Sequence, residues 1–230
     1  MLSTFQWLGN DVVAAILAAT MLLGYRIFIR AKLKRDPFYT VQSVNAIARA
    51  AWVESVMSEP GKEVLAVQTL RNSIMGPTFL ASTAVLLIIG TLTLSGQGSN
   101  LAGTWHALNL SGSLQTEVFV GKLMLLLLDF FIAFFAFTMA IRMFIHVGYM
   151  INVPAARQNP AITPRYVSFH LNRAGRFHTV GMRAYYYSVP LVFWLFGPYL
   201  MLVATVILVF LMHRLDRAPK IETETISPSD

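Results

Sequence analysis

The run VFVGKLMLLLLDFFIAFFAFTMAIRMFIHVGYMI, residues 118–151, decides the fold class. A helix rises 1.5 Å per residue, so about 20 apolar residues cross a bilayer. This run is longer than that, and Lys122, Asp129 and Arg142 are its only formally charged side chains. Three further segments have the same character: residues 11–29, 73–95 and 187–213. The runs at 118–151 and 187–213 exceed the bilayer and are expected to project, tilt or break. Pro77 near the start of one segment, and Pro190 and Pro198 within another, predict kinks.

Composition agrees with a membrane chain. Hydrophobic residues make up 56% of the 230 positions and charged residues 13%, about half the usual ~25%. That leaves too few charges to cover a soluble surface. There is no cysteine, which excludes disulfides, thiolate metal sites and a cysteine nucleophile. No Lys or Arg precedes the first segment and no A-x-A site follows it, so it is expected to be a retained anchor and not a cleaved signal peptide.

The charge of +7 is unevenly placed. Residues 1–25 and 96–117 contain no Lys or Arg, residues 26–72 contain eight, and residues 142–183 contain six arginines and no acid. Cytoplasmic connections are the positive ones. Both basic connections are therefore predicted inside, and the N-terminus and the 96–117 connection outside. Four crossings would also place the C-terminus outside, against the sense of Arg214, Arg217 and Lys220; a re-entrant fourth segment would return the tail to the cytoplasm. The fold class is all-α: four transmembrane helices with amphipathic cytoplasmic helices. Residues 1–215 form one domain and 216–230 a polar tail. The expected location is a membrane, the inner membrane of a bacterium.

The basic charge is explained by this topology and by attraction to anionic head groups, so membrane lipids are expected partners and nucleic acid is not. Residues 36–59 read as an amphipathic helix. Asp36 is its expected N-cap and Pro37 its first residue, with Phe38, Val41, Val44, Ala48, Trp52 and Val56 on one face. Glu59-Pro60-Gly61 ends it, and a second helix from Lys62 leads into the 73–95 span. Thr163-Pro164 opens a basic interfacial helix carrying Arg165, Arg173, Arg176 and Arg183, with breaks expected at Gly175 and Gly181. Tyr185, Tyr186 and Tyr187 stand where an aromatic belt would be.

Four stretches, RAAWVESVM (49–57), QTLRNSIMGPTFLASTAVLL (68–87), RMFIHVGYMINVP (142–154) and RAYYYSVPLVFWLFGP (183–198), resemble the multi-pass membrane proteins of domain-of-unknown-function family 599. The resemblance covers roughly residues 10–215. It implies a bacterial or plant membrane protein of this architecture. It implies no activity, ligand or catalytic residue.

Candidate functional residues come from the residues alone. Lys122 and Asp129 are seven apart, share a helix face and lie about 10 Å apart along the axis, too far to pair. Intramembrane charges are costly and face the bundle interior. They read either as a proton or cation site or as groups paired elsewhere. Glu54, Arg71, Asn72, Arg142 and His146 are expected to form a polar cluster at the cytoplasmic interface, with Glu54 meeting Arg142. Arg49, Arg71, Arg142 and Arg183 could together hold an anion or head group. Arg49, Arg165, Arg173, Arg176 and Arg183 are the expected contacts to lipid or partner. His106, His146, His170, His178 and His213 form no HxxxH or ExxH pair, so no metal site and no cofactor is expected. GQGSN (96–100) lacks the lysine and following helix of a phosphate loop, and Asn109-Leu110-Ser111 is a sequon on the predicted outer side. No G-x-S-x-G elbow or hydrolase triad is present.

No catalytic residue is therefore assigned. The expected function is a non-catalytic accessory or structural subunit of a larger membrane complex, partnered by other membrane subunits or by copies of itself. The alternatives are a small oligomeric transporter or channel using Asp129 and Lys122, and a membrane enzyme acting on lipid.

Overall fold

The computed structural model describes residues 2–96, 116–153 and 162–219. Among these, six helices form the fold: α1 Leu2–Arg35, α2 Val41–Ser58, α3 Glu63–Gly96, α4 Thr116–Met150, α5 Pro164–Phe196 and α6 Pro198–Asp216. Four stretches are long and apolar enough to cross a membrane: Gly9–Arg35, Glu63–Gly96, Glu117–Met150 and Pro198–Asp216.

Packing fixes their directions. At one end Ala66 and Leu70 of α3, Val147 with Ile151 at the end of α4, and Val167 with Leu171 of α5 share one core with Val53, Val56 and Met57 of α2. Farther along, Ile88 of α3 meets Leu126 and Phe130 of α4, and Leu191 of α5 packs on them. So α4 runs antiparallel to α3 and α5. The Tyr185 hydroxyl donates to the Leu80 carbonyl at 2.5 Å, tying α5 to α3.

The segment 187–213 is not one span. The helix continues through Pro190, then stops at Gly197. Gly197 has φ 152° and ψ 156°, a region only glycine adopts without strain. Its N–H donates to Phe193 O at 3.2 Å, and Pro198 supplies a preset first residue for α6. The chain turns back there, so the expected span comprises the last third of α5 and most of α6. Leu208 and Met212 of α6 then pack on Tyr25 and Ile29 of α1.

This reversal corrects the C-terminus. Ala218 N–H donates to Tyr39 O at 3.0 Å, and Thr40 and Arg217 form a β-bridge. Residues 217–219 lie beside the turn that follows α1, at the basic end, and not at the opposite end. The physical reason is the Gly197 turn, and it removes the conflict with Arg214 and Arg217. The native chain has no cysteine, so single cysteines report sidedness cleanly. Ala218→Cys and Ser58→Cys should be labelled by an impermeant maleimide from the same face of sealed vesicles; labelling from opposite faces would contradict the reversal.

Two local expectations change as well. Asp36 does not cap α2; its Oδ1 accepts from Phe38 N at 3.0 Å, closing a turn. Thr40 caps α2 instead, its hydroxyl accepting from Ser43 N at 3.2 Å. Because α2 starts at Val41, its inward face is Val53, Val56 and Met57, with Trp52 partly covered. Phe38 and Val44, expected on that face, are exposed. Thr163 does cap α5, accepting from Tyr166 N at 3.2 Å.

Gly175 and Gly181 do not break α5. They are close-approach positions. A Cβ on Gly181 would stand 2.6 Å from the Phe137 ring, and one on Gly175 would stand 2.9 Å from the Arg49 guanidinium carbon. GQGSN beyond Gly96, His106, the Asn109 sequon and the tail beyond Pro219 lie outside the described residues.

Candidate functional site: the paired charges of the bundle

Lys122 is fully paired. Its Nζ lies 2.9 Å from Asp11 Oδ1, with side-chain exposures of 4% and 2%. The same oxygen accepts from Trp194 Nε1 at 2.9 Å. Lys122 Nζ also donates to the Trp194 carbonyl at 3.3 Å and sits 5.2 Å from the centre of the Trp194 ring. The ammonium thus has a carboxylate, a carbonyl and an aromatic face around it. Three helices, α1, α4 and α5, contribute one residue each. Buried charges survive only when opposed and hydrogen-bonded, and this arrangement supplies both.

Asp11 is the partner that sequence reasoning missed. It stood as the boundary of the first span, but α1 begins at Leu2, so Asp11 is more than two turns inside a helix. The available signal was depth. Asp11 and Lys122 each stand near the outer end of an apolar run, on two helices predicted to run in the same direction.

Asp129 is separate from this tie. It is half-buried, and its Oδ2 has no hydrogen-bond partner among the described residues. No hydrogen bond or ion pair joins Lys122 and Asp129.

At the basic end a second tie joins three elements. Asp216 Oδ2 accepts from the Tyr25 hydroxyl at 2.9 Å and from Arg183 Nη2 at 3.2 Å. It fastens the end of α6 to α1 and α5.

A third tie holds α2. Arg49 Nε donates to Asn172 Oδ1 at 2.8 Å, and Asn172 Nδ2 donates to the Ala46 carbonyl at 3.1 Å. The guanidinium lies over Gly175. Burial lowers its proton affinity, and its charge, after burial itself, pushes the neighbouring His178 below the ordinary imidazole value. His178 also meets the Phe137 ring edge-on at 5.8 Å.

A pH effect follows from His178. The unfolded chain protonates it near 6.5, the folded chain only at lower pH. The unfolded state therefore holds more protons on acidification, and stability falls as pH drops below about 6.5. His178→Phe should unfold with a weaker dependence on pH between neutrality and pH 5 than the native chain. An unchanged dependence would remove His178 as the source.

The expected interface cluster is not assembled. Glu54, Arg71, Asn72, Arg142 and His146 are all exposed. Ion pairs among the described residues join Lys62 to Glu59, Lys122 to Asp11 and Arg183 to Asp216, and none joins Glu54 to Arg142. Nor do the four arginines converge: Arg183 faces Asp216, Arg49 faces Asn172, and Arg71 lines a separate groove with Tyr149. Arg165, Arg173 and Arg176 are exposed on α5, with Arg173 over Phe177 and Arg176 over Phe169. Among the described residues no three His, Asp or Glu side chains are grouped to hold a metal.

The all-helical bundle and the internal ties bear on what the chain resembles. The family profile described as protein of unknown function, DUF599, matches residues 13–221. The chain is a member of the DUF599 family. The matched range takes in α1 from its second buried turn, the whole α5–α6 reversal and the Asp216 tie. No curated protein and no solved structure matches the chain. In this member of DUF599, Trp194 and the Gly197-Pro198 turn belong to the RAYYYSVPLVFWLFGP stretch, so that stretch builds both the Lys122 tie and the reversal.

Proposed function

We propose that the chain is a non-catalytic subunit of a larger membrane assembly, with its basic end in the cytoplasm. The observation that carries this reading is the outer face of α2. Its inner face already packs on α3, α4 and α5, yet Val44 and Ile47 remain exposed, with Phe38 just before the helix. This apolar stripe sits at the end of the bundle where the basic turns lie. An apolar stripe left over after the core is filled is a contact surface.

The polar ties support the same reading. Lys122, Asp216 and Arg49 each lock one helix to others, which suits a scaffold that holds a fixed shape. Photo-crosslinking from Val44 or Ile47 in native membranes tests it. The expected product is a discrete adduct with another protein. Adducts with lipid alone would contradict it.

Asp129 favours a second reading, an oligomeric carrier of protons or cations. Its unpartnered Oδ2 is the observation behind it; Lys122 is engaged by Asp11 and takes no part. In that case Asp129→Asn would abolish a flux in reconstituted vesicles while the protein stayed folded.

A further inference from the structure

We propose that the cleft beside Arg49 binds the phosphate of an anionic phospholipid. The cleft has a volume of about 410 Å³ and is lined in part by Asn45, Arg49, Trp52, Thr69 and Ser73. No acid lines it. Among the described residues no carboxylate lies within ion-pair distance of Arg49. A half-buried cation without a counter-ion is an incomplete site, because burial raises the cost of leaving it unopposed.

Arg49 is also held in place. Its Nε is bound by Asn172, which is itself anchored to the Ala46 carbonyl. Gly175 leaves the space the guanidinium occupies. The fork is therefore fixed before a ligand arrives, and guanidinium forks match phosphate oxygens. Asn45 and Thr69 add uncharged polar groups at the rim.

The source of the phosphate follows from the depth of the cleft. On the far side of the buried Leu70 and Phe144 a separate groove of about 520 Å³ runs between α3 and α4, lined mostly by apolar residues with Arg71, Thr78 and Tyr149. Ser73, in the cleft wall, is the first residue of the expected 73–95 span, which is the depth of head groups. A polar pocket at that depth fits a phospholipid head group better than a free anion.

Binding to the full chain in detergent can be followed by native mass spectrometry or thermal unfolding with three probes: phosphatidylglycerol, phosphatidylcholine and inorganic phosphate. Phosphatidylglycerol should bind and stabilise more than phosphatidylcholine. Arg49→Gln should weaken it by about tenfold or more, as expected for lost charge-assisted hydrogen bonds. Asn45→Glu, an exposed position that leaves the Arg49–Asn172 bond intact, should weaken it similarly and covers the case where Arg49→Gln does not fold. Arg165→Gln, outside the cleft, should change little. Protection by inorganic phosphate equal to that by the lipid, and lost with Asn45→Glu, would keep the anion site but overturn the lipid as its occupant. Binding unaffected by Asn45→Glu, or weakened as much by Arg165→Gln, would overturn the site itself.

Discussion

Lys122→Met should destabilise the folded chain by about 3–5 kcal/mol, the usual cost of removing one partner from a buried ion pair. The substitution keeps most of the side-chain volume but strips the Asp11 carboxylate of its cation. Trp194 Nε1 still donates to Asp11 Oδ1, but an uncharged indole does not replace the ammonium. An exposed pair would be worth no more than about 1 kcal/mol, so the size of the effect reports burial. The double variant Asp11→Leu/Lys122→Met should recover much of the loss, since neither charge is then left unopposed. Reversible unfolding in mixed micelles gives both values. Additive losses in the double variant would mean that the two side chains do not act as a pair.

Gly181→Ala should cost about 1–3 kcal/mol through overpacking. The added methyl would meet Phe137 Cε1, Cζ and Cδ1 at 2.6–2.8 Å. Phe137 has no exposed surface and packs with Ala81, Ala133 and Ala184, so its ring has nowhere to withdraw. The partner substitution Phe137→Leu should relieve much of that cost when combined with Gly181→Ala. The pair of single and double variants forms a cycle whose coupling is positive only if the two positions touch. An alanine at 181 with native stability would mean that α4 and α5 are farther apart than described.

The two predictions concern residues that differed in legibility. Lys122 stood out because a charge in an apolar run must face the interior. Its partner did not, because Asp11 sits where a span boundary is normally drawn and an unassigned helix start hides it. Phe137 reads as one aromatic among many in FFIAFFAF. Gly181 reads as a helix breaker, because glycine lacks helix propensity. Only the packing of α4 on α5 turns it into a close-approach position.

The apolar architecture was legible because hydrophobic length is a one-dimensional property. All-α class, α2 as a separate amphipathic helix and its end at Glu59-Pro60-Gly61 follow from spacing and turn residues. The reversal at Gly197 was partly legible. Pro190 and Pro198 signalled a break, and the positive charge of Arg214 and Arg217 argued for a returning tail. A break and a kink look alike in sequence, however, and the φ of Gly197 separates them.

The candidate sites were least legible. Arg49 was one of several arginines, and its distinction is tertiary: Asn172 and Gly175 come from α5, and α3 and α4 add to the cleft wall. Glu54 and Arg142 looked complementary, but complementary charge on two amphipathic segments does not set which faces meet. Here the α2 core residues Val53, Val56 and Met57 turn Glu54 outward.

A subunit of an assembly should stay with its partners when the tagged full chain is purified from its native membrane in a gentle detergent and the intact complex is weighed. The expected result is one or more foreign chains in fixed stoichiometry with this one. A homogeneous species containing this chain alone, as monomer or homo-oligomer, would contradict it.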